Sequence, residues 1–207
     1  QSSASMLELV NDILDLSKLQ AGKFEIQKEK SSIKDLIDNR IAFYKISADS
    51  RKVIMDKYFD KNLPEFADFD PQALKQVLNN FISNALKFTS SGGSVKVSAF
   101  VAGADGYWPT IDTNKYPAFP VKSDIPLDKK TLCVVVTDTG IGIPDKNLRE
   151  LFHTYKQAKI SPVNKDEKGT GLGLVIAKGI TEAHNGKVGA VSKEGKGSSF
   201  FFTIPLS

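Results

Sequence analysis

Apolar residues recur at spacings of three and four in several stretches of the chain, and this spacing predicts amphipathic helices. Start and stop signals flank these stretches: serines that can cap a helix, a proline in a first turn, and a glycine beyond a last turn. The predicted helices run from about Ser3 to Leu19 with Gly22 as the stop signal, from Ser31 or Ser32 through Ile41, from Asp70-Pro71 to about Phe88, and from Gly171 to His184.

Alternating or continuous apolar runs between these helices predict strands. The predicted strands are Lys23 to Lys28, Lys52 to Phe59, Val95 to Val101, Leu132 to Thr137, and a hairpin of Val188 to Val191 with Ser199 to Ile204. The segment near 102–130 carries four prolines, and we interpret it as an insertion without regular structure. This order predicts an α/β (α+β) two-layer sandwich, with a mixed sheet covered on one face by about three helices.

Composition narrows the class of protein. With 207 residues, 41% of them hydrophobic and 25% charged, the chain is typical of a globular domain. The net charge of +4 comes from scattered lysines, so we expect no nucleic-acid partner, although a polyanionic ligand would suit it. Cys133, the single cysteine, lies in an apolar run, and we interpret it as a small buried hydrophobe.

The first predicted helix starts at the beginning of the chain, and its apolar stripe has no obvious local partner. We therefore expect a piece of a longer protein, with this helix pairing elsewhere. No apolar stretch approaches the ~18 residues of a membrane span, and no signal peptide is visible. We expect this part to be soluble and to face the cytoplasm; a membrane anchor elsewhere in the intact protein is compatible with the sequence.

A polar stripe crosses the third predicted helix. At about 100° per residue, with Gln76 at zero, Lys87 falls near ~20°, Asn80 near ~40° and Asn84 near ~80°. The amide oxygens of the two asparagines are ligands that suit Mg²⁺, and Lys87 on the same stripe can reach a phosphate. A solvated helix face that happens to contain asparagine explains this motif equally well when it is taken alone.

A carboxylate follows the predicted strand Leu132 to Thr137, in the string Asp138-Thr-Gly140-Ile-Gly142. At the end of a strand, where α/β folds gather ligands, Asp138 can accept a hydrogen bond from an exocyclic amine such as adenine N6. The glycines would let the backbone turn closely round the base. Taken alone, this string is more often an ordinary turn.

Three glycines open the fourth predicted helix, in Gly169-Thr-Gly171-Leu-Gly173. They allow the backbone to approach phosphates, and a helix N-terminus attracts anions. The string is neither a Walker A loop nor a dinucleotide fingerprint, because the residues that complete those motifs are missing. We interpret residues 152–168, just before it, as either a flexible lid or an ordinary surface loop.

The four motifs, in this order, resemble the N, G1, F and G2 boxes of the ATP-binding catalytic domain of sensor histidine kinases. That domain has the Bergerat fold of the GHKL superfamily, which it shares with DNA gyrase, Hsp-type chaperones and mismatch-repair ATPases. The boxes are Gln76–Thr89, Asp138–Pro144, Leu151–Tyr155 and Gly169–Leu174. The resemblance implies that 23–207 is the catalytic domain and that 1–22 ends the second helix of a dimerisation and phosphoacceptor hairpin.

The resemblance also implies ATP and Mg²⁺ as ligands, with Asn84 as the principal metal ligand and Asn80 assisting. Asp138 would read adenine N6. The implied ATP-binding residues are Asn80, Asn84, Lys87, Phe88, Asp138, Gly140, Gly142, Ile143, Tyr155, Gly169, Thr170, Gly171, Leu172, Gly173, Leu174 and Ser198. Gln157 stands where some members place an arginine that touches the γ-phosphate, which leaves Lys156 or Lys159 as alternative substitutes.

Position 80 separates the subclasses of the superfamily, because the hydrolases carry there a glutamate that activates water. An asparagine has no useful basicity, so the resemblance implies phosphoryl transfer to a histidine. That histidine lies outside this chain, since we interpret His153 and His184 as solvated or locally bonded surface residues. The implied partners are a phosphoacceptor hairpin of the same or a partner subunit, a response regulator and a second copy. The alternatives are a kinase-like binding module without turnover and a GHKL-type ATPase.

Overall fold

A mixed five-stranded sheet lies at the centre of the protein. The computed structural model describes residues 2–103, 115–116, 119–120, 130–148, 150–152 and 171–206. The elements are α1 (Ser2–Gln20), β1 (Glu29–Ser31), α2 (Ile33–Ser50), β2 (Ile54–Phe59), β3 (Ala67–Phe69), α3 (Pro71–Phe88), β4 (Ser94–Ala102), β5 (Thr131–Asp138), α4 (Asp145–Leu148), α5 (Gly173–Ala183), β6 (Val188–Lys193) and β7 (Gly197–Pro205). The sheet order is β2-β4-β5-β7-β6, and only β2 and β4 run parallel.

The helix boundaries follow the start and stop signals of the sequence. Ser32 caps α2, its side chain accepting a hydrogen bond from the Asp35 amide. Asp70 caps α3 by accepting from two backbone amides, and Pro71 occupies the first turn. Gly22 ends α1 in the left-handed region, with φ of +65°. These predicted helix ends are confirmed.

One face of the sheet packs against α2, α3 and α5. Alternate residues of β4 and β5, such as Val97 and Val134, join Phe81 of α3 in this core. The Phe81 ring lies 5.6 Å from that of Phe200 on β7. Each large apolar side chain buried here contributes about 1.5–3 kcal/mol. The predicted two-layer sandwich is confirmed.

The other face of the sheet carries a second apolar cluster. Phe100 and Phe201 contribute to it from the strands, while Tyr116 and Phe119 reach it from the insertion. Lys96 on β4 holds its ammonium group 5.4 Å from the centroid of the Tyr116 ring. The described part of the insertion therefore packs on this face of the sheet, which the sequence did not lead us to expect.

Residues 23–28 form no strand, contrary to prediction. The alternation in this segment has another cause: Phe24 and Ile26 are partly buried against the main core. The amide of Gln27, which would serve a sheet ladder, donates instead to the Asp70 carboxylate at 3.0 Å. The short elements β3 and α4 were not predicted, because three or four residues carry no measurable periodicity.

Helix α1 has no partner nearby in the sequence, as expected, but part of it packs on helices that lie far away along the chain. Leu16 is only 5% exposed, and the Leu19 side chain lies over Gly179 of α5. The side-chain Nε2 of Gln76 on α3 also donates to the Asp15 carboxylate at 3.0 Å. Another part of the helix stays open, with three apolar side chains about half exposed: Val10, Ile13 and Leu14. Among the described helices, none has the length and apolar character to cross a membrane.

Candidate nucleotide-binding site

Three of the sequence motifs lie on or beside helix α3. Asn80 and Asn84, one turn apart on this helix, are both half-buried. Gly173, the first residue of α5, lies against the Asn80 side chain so closely that a Cβ atom there would overlap the amide oxygen. The G2 motif is thus held beside the polar stripe of the N motif.

The C-terminal end of α3 meets the loop that follows β5. The amide of Ile141 donates to the Phe88 carbonyl at 3.2 Å. Gly140 packs on the same carbonyl, and a Cβ atom at Gly140 would overlap it. Since Phe88 is one turn beyond Asn84, the G1 motif lies at one end of the polar stripe and the G2 motif lies beside its middle.

Asp138 is the last residue of β5 and is 3% exposed. Its Oδ1 accepts hydrogen bonds from the amides of Gly140, at 2.8 Å, and Ser198, at 3.3 Å. Burial raises the pKa of this carboxyl to about 7, and the two backbone hydrogen bonds oppose the rise only in part. The charged form is costly here, so a ligand that donates a hydrogen bond to Asp138 would be strongly favoured.

The β6–β7 hairpin closes over the G1 loop. The amide of Gly195, in the turn, donates to the Ile141 carbonyl at 2.7 Å. Gly142 has φ of +69°, and a Cβ atom there would overlap the Lys193 carbonyl. Gly197 has φ of +109° and lies equally close to the carbonyl of Asp138. The backbone contacts fix the loop and the carboxylate relative to each other.

The remaining predicted residues take several positions. Leu172 is buried just before α5, and Gly171 precedes it with φ of +74°. Lys87 is half-buried, with its ammonium group 5.4 Å from the centroid of the Phe88 ring. Ile143 is buried, Leu174 half-buried and Ser198 buried. Tyr155, Gly169, Thr170, His153, Lys156, Gln157, Lys159 and the predicted lid lie outside the described residues.

His184 is buried, which corrects its interpretation as a surface residue. The side chain is 1% exposed and lies at the C-terminal end of α5. Its Nε2 accepts from the Asp70 amide at 3.1 Å, so Nδ1 carries the proton and donates to the Ile180 carbonyl at 2.8 Å. Burial is the main cause that lowers the pKa of His184. The residue joins the end of α5 to the start of α3.

Metal-binding side chains of the usual acidic, histidine or cysteine types do not cluster within the described part of the chain. The side-chain oxygens that could bind a metal near the site are instead the amide oxygens of Asn80 and Asn84 on α3. Mg²⁺ commonly keeps several waters and takes its other ligands from few side chains and from substrate phosphates. Two neutral amide oxygens fit that mode of binding.

Residues 69–207 match the family described as "Histidine kinase-, DNA gyrase B-, and HSP90-like ATPase". The match spans more than half of the chain and all four motifs. The chain therefore belongs to this family.

Similar proteins of known name narrow the class of protein within this family. The chain is 35% identical over 205 residues to the "Non-motile and phage-resistance protein" of Caulobacter vibrioides, covering 99% of this chain and 21% of the relative. It is 33% identical over 205 residues to the "Sensor histidine kinase WalK" of Bacillus subtilis, covering 97% of this chain and 28% of the relative. The chain thus spans less than a third of the length of these curated relatives.

A solved structure agrees with the fold and the class. Full-length ShkA in complex with AMPPNP superposes with a TM-score of 0.76 at 26% identity, covering all of this chain and 37% of that one. Together with the family match, this confirms the prediction of an ATP-binding catalytic domain of the sensor histidine kinase type.

Proposed function

We propose that this chain binds Mg·ATP along α3 and supplies the catalytic half of a two-component sensor kinase, which transfers the γ-phosphoryl group to a histidine outside the chain. The observation that carries the proposal is the arrangement around α3. A buried carboxylate lies at its C-terminal end, and Asn80 in its middle touches the start of α5.

The adenine would bind at the Asp138 end of the site. Asp138 would accept a hydrogen bond from the N6 amine, and Gly140, Gly142 and Ile143 would form the wall around the base. The raised pKa of the buried carboxyl supports this role, because an amine donor would compensate for the water lost by burial. Ser198, whose amide already donates to Asp138, would add a contact to the base.

The metal and the phosphates would bind farther along α3, with Asn84 as the principal Mg²⁺ ligand and Asn80 assisting. When bound, Mg²⁺ would neutralise charge on the phosphates. The N-terminus of α5 lies beside Asn80, and the positive end of the helix dipole favours an anion there. The remaining residues proposed around the nucleotide are Lys87, Phe88, Tyr155, Gly169, Thr170, Gly171, Leu172, Gly173 and Leu174.

Position 80 favours transfer over hydrolysis. The Asn80 amide faces Gly173 on the phosphate side of the site but cannot take a proton from water at neutral pH. Bound ATP would therefore wait for an external nucleophile, with catalysis supplied by positioning and charge neutralisation. A GHKL-type ATPase is the alternative that this residue disfavours.

The acceptor histidine would come from a helical hairpin that α1 completes. Residues 1–22 would form the end of its second helix, with 23–207 as the catalytic domain. The exposed stripe of Val10, Ile13 and Leu14 supports pairing with further helices, in the same or a second subunit of a homodimer. A response regulator would then receive the phosphoryl group. A kinase-like binding module without turnover remains the second alternative.

Titration with Mg·ADP, followed by transfer from labelled ATP to a separately supplied acceptor hairpin, tests the proposal. We expect binding, and label on the histidine of the hairpin. Ser50→Ala, at the exposed end of α2, changes none of the proposed site residues and serves as the control variant. It should bind the nucleotide and transfer label as wild type does. No heat at millimolar nucleotide would reject nucleotide binding altogether. Steady phosphate release without an acceptor would favour the ATPase, and binding without either reaction would favour the binding module.

A further inference from the structure

Ser192 connects the β6–β7 hairpin to the wall of the proposed adenine pocket. Its Oγ accepts a hydrogen bond from the Ile143 amide at 2.8 Å. The same oxygen lies 2.9 Å from the Gly197 carbonyl and 2.9 Å from the Ser198 hydroxyl. One half-buried side chain thus touches the G1 loop and the start of β7 at once.

These contacts determine the direction of each hydrogen bond. A serine hydroxyl has one proton and two lone pairs. The Ile143 amide can only donate and the Gly197 carbonyl can only accept, so Ser192 gives its proton to Gly197. The Ser198 hydroxyl must then donate to Ser192, and the lone pairs of Ser198 are left as acceptors.

Ser198 and Asp138 belong to the same wall, since the Ser198 amide donates to the Asp138 carboxylate at 3.3 Å. Held in this way, the hydroxyl and the carboxylate both offer acceptors. The amine at C6 of adenine matches two acceptors, whereas the carbonyl oxygen at C6 of guanine leaves them unpaired.

We propose that Ser192 is a positioning residue that determines base specificity: it holds the Ser198 hydroxyl as an acceptor and so favours adenine over guanine nucleotides. This inference rests on the proposed nucleotide site. Without Ser192, the Ser198 hydroxyl is free to turn and donate to a carbonyl oxygen on the base.

Isothermal titration of the chain with Mg·ADP and Mg·GDP tests the inference. In Ser192→Ala the ratio of ADP to GDP affinity should fall about tenfold, the effect of one mispaired hydrogen bond. Ser192→Thr keeps a hydroxyl and should restore the ratio.

Ser199→Ala is the matched control. Ser199 is buried one residue along β7, and its hydroxyl lies 2.7 Å from that of Thr137, on the face of the sheet away from the site. This variant should lose stability while keeping the wild-type ratio of affinities. The control therefore separates a loss of stability from a loss of specificity.

Ser198→Ala gives an independent test should Ser192→Ala fold poorly. It should lower the ratio by itself, and adding Ser192→Ala should lower it no further, because Ser192 acts through Ser198. An unchanged ratio in either single variant, with wild type binding ADP, would overturn the inference and leave the proposed function intact. If wild type binds no nucleotide, the proposed function fails first and the inference fails with it.

Discussion

Replacing Asp138 with asparagine should abolish nucleotide binding and at the same time make the free protein more stable at alkaline pH. The asparagine oxygen can keep the hydrogen bonds from the amides of Gly140 and Ser198. The asparagine NH₂ group would replace the second carboxylate oxygen, and it would face the adenine amine with another donor. Binding is therefore lost although the shape of the site is kept.

The gain in stability follows from the buried charge. Burial raises the pKa of Asp138 from 3.8 to about 7. At about 1.4 kcal/mol for each pKa unit, ionising this carboxyl in the folded protein costs up to about 4 kcal/mol more than in the unfolded chain. The folded state holds a proton that the unfolded state has lost between these pH values. The cost is therefore small near pH 4 and complete above pH 7, and Asp138→Asn removes it.

Thermal unfolding at pH 5 and pH 8 measures this difference. The melting temperature of Asp138→Asn should exceed that of wild type, and the gap should be larger at pH 8. For a domain of this size, each 1 kcal/mol corresponds to about 2–4 °C. A gap of the same size at both pH values, or a variant that is less stable at pH 8, would show that the carboxyl is not held in a costly charged state.

Three further substitutions test the metal ligand, the G1 loop and the junction of α5 with α3. Asn84→Asp should weaken productive Mg·ATP binding, because an added negative charge rearranges the metal site; unchanged affinity in titrations with Mg²⁺ would contradict that role. Gly140→Ala should destabilise the fold by about 2 kcal/mol or more in urea unfolding, since its Cβ atom would overlap the Phe88 carbonyl, whereas Gly92→Ala meets open space and should show only the backbone strain of its positive φ of +83°, about 1 kcal/mol. His184→Gln should cost about 2 kcal/mol at pH 8 through lost buried hydrogen bonds. Because burial lowers the pKa of His184, that difference from wild type should narrow as the pH falls below about 6.5.

Local signals in the sequence were sufficient for most of the fold. The caps of α2 and α3 depend on residues within one turn of the helix start, and the β6–β7 hairpin depends on a glycine-rich turn between apolar runs. Such signals act over a few residues, so a sequence displays them directly. The motifs of the candidate site are of the same kind.

Contacts between residues far apart in the chain could not be predicted. His184 is buried where it accepts a hydrogen bond from the amide of Asp70, which lies 114 positions away in the sequence. No local pattern distinguishes it from an exposed histidine at a helix end. The docking of Leu19 on Gly179 joins residues even farther apart in the sequence. Ser192 was missed for a related reason, because its importance depends on the alignment of β6 with β7 and on the nearness of the G1 loop.

The glycines of the G1 loop and the hairpin have a role that the motif alone did not indicate. We expected glycines to let the backbone approach a base. Gly140 and Gly142, and also Gly197 in the hairpin, each meet a carbonyl of the chain itself: Gly140 meets Phe88, Gly142 meets Lys193, and Gly197 meets Asp138. A side chain at any of them would separate α3, the loop or the hairpin before a ligand arrived. The glycines therefore first bring the Asp138 carboxylate into a fixed place, and the proposed recognition of adenine depends on that assembly.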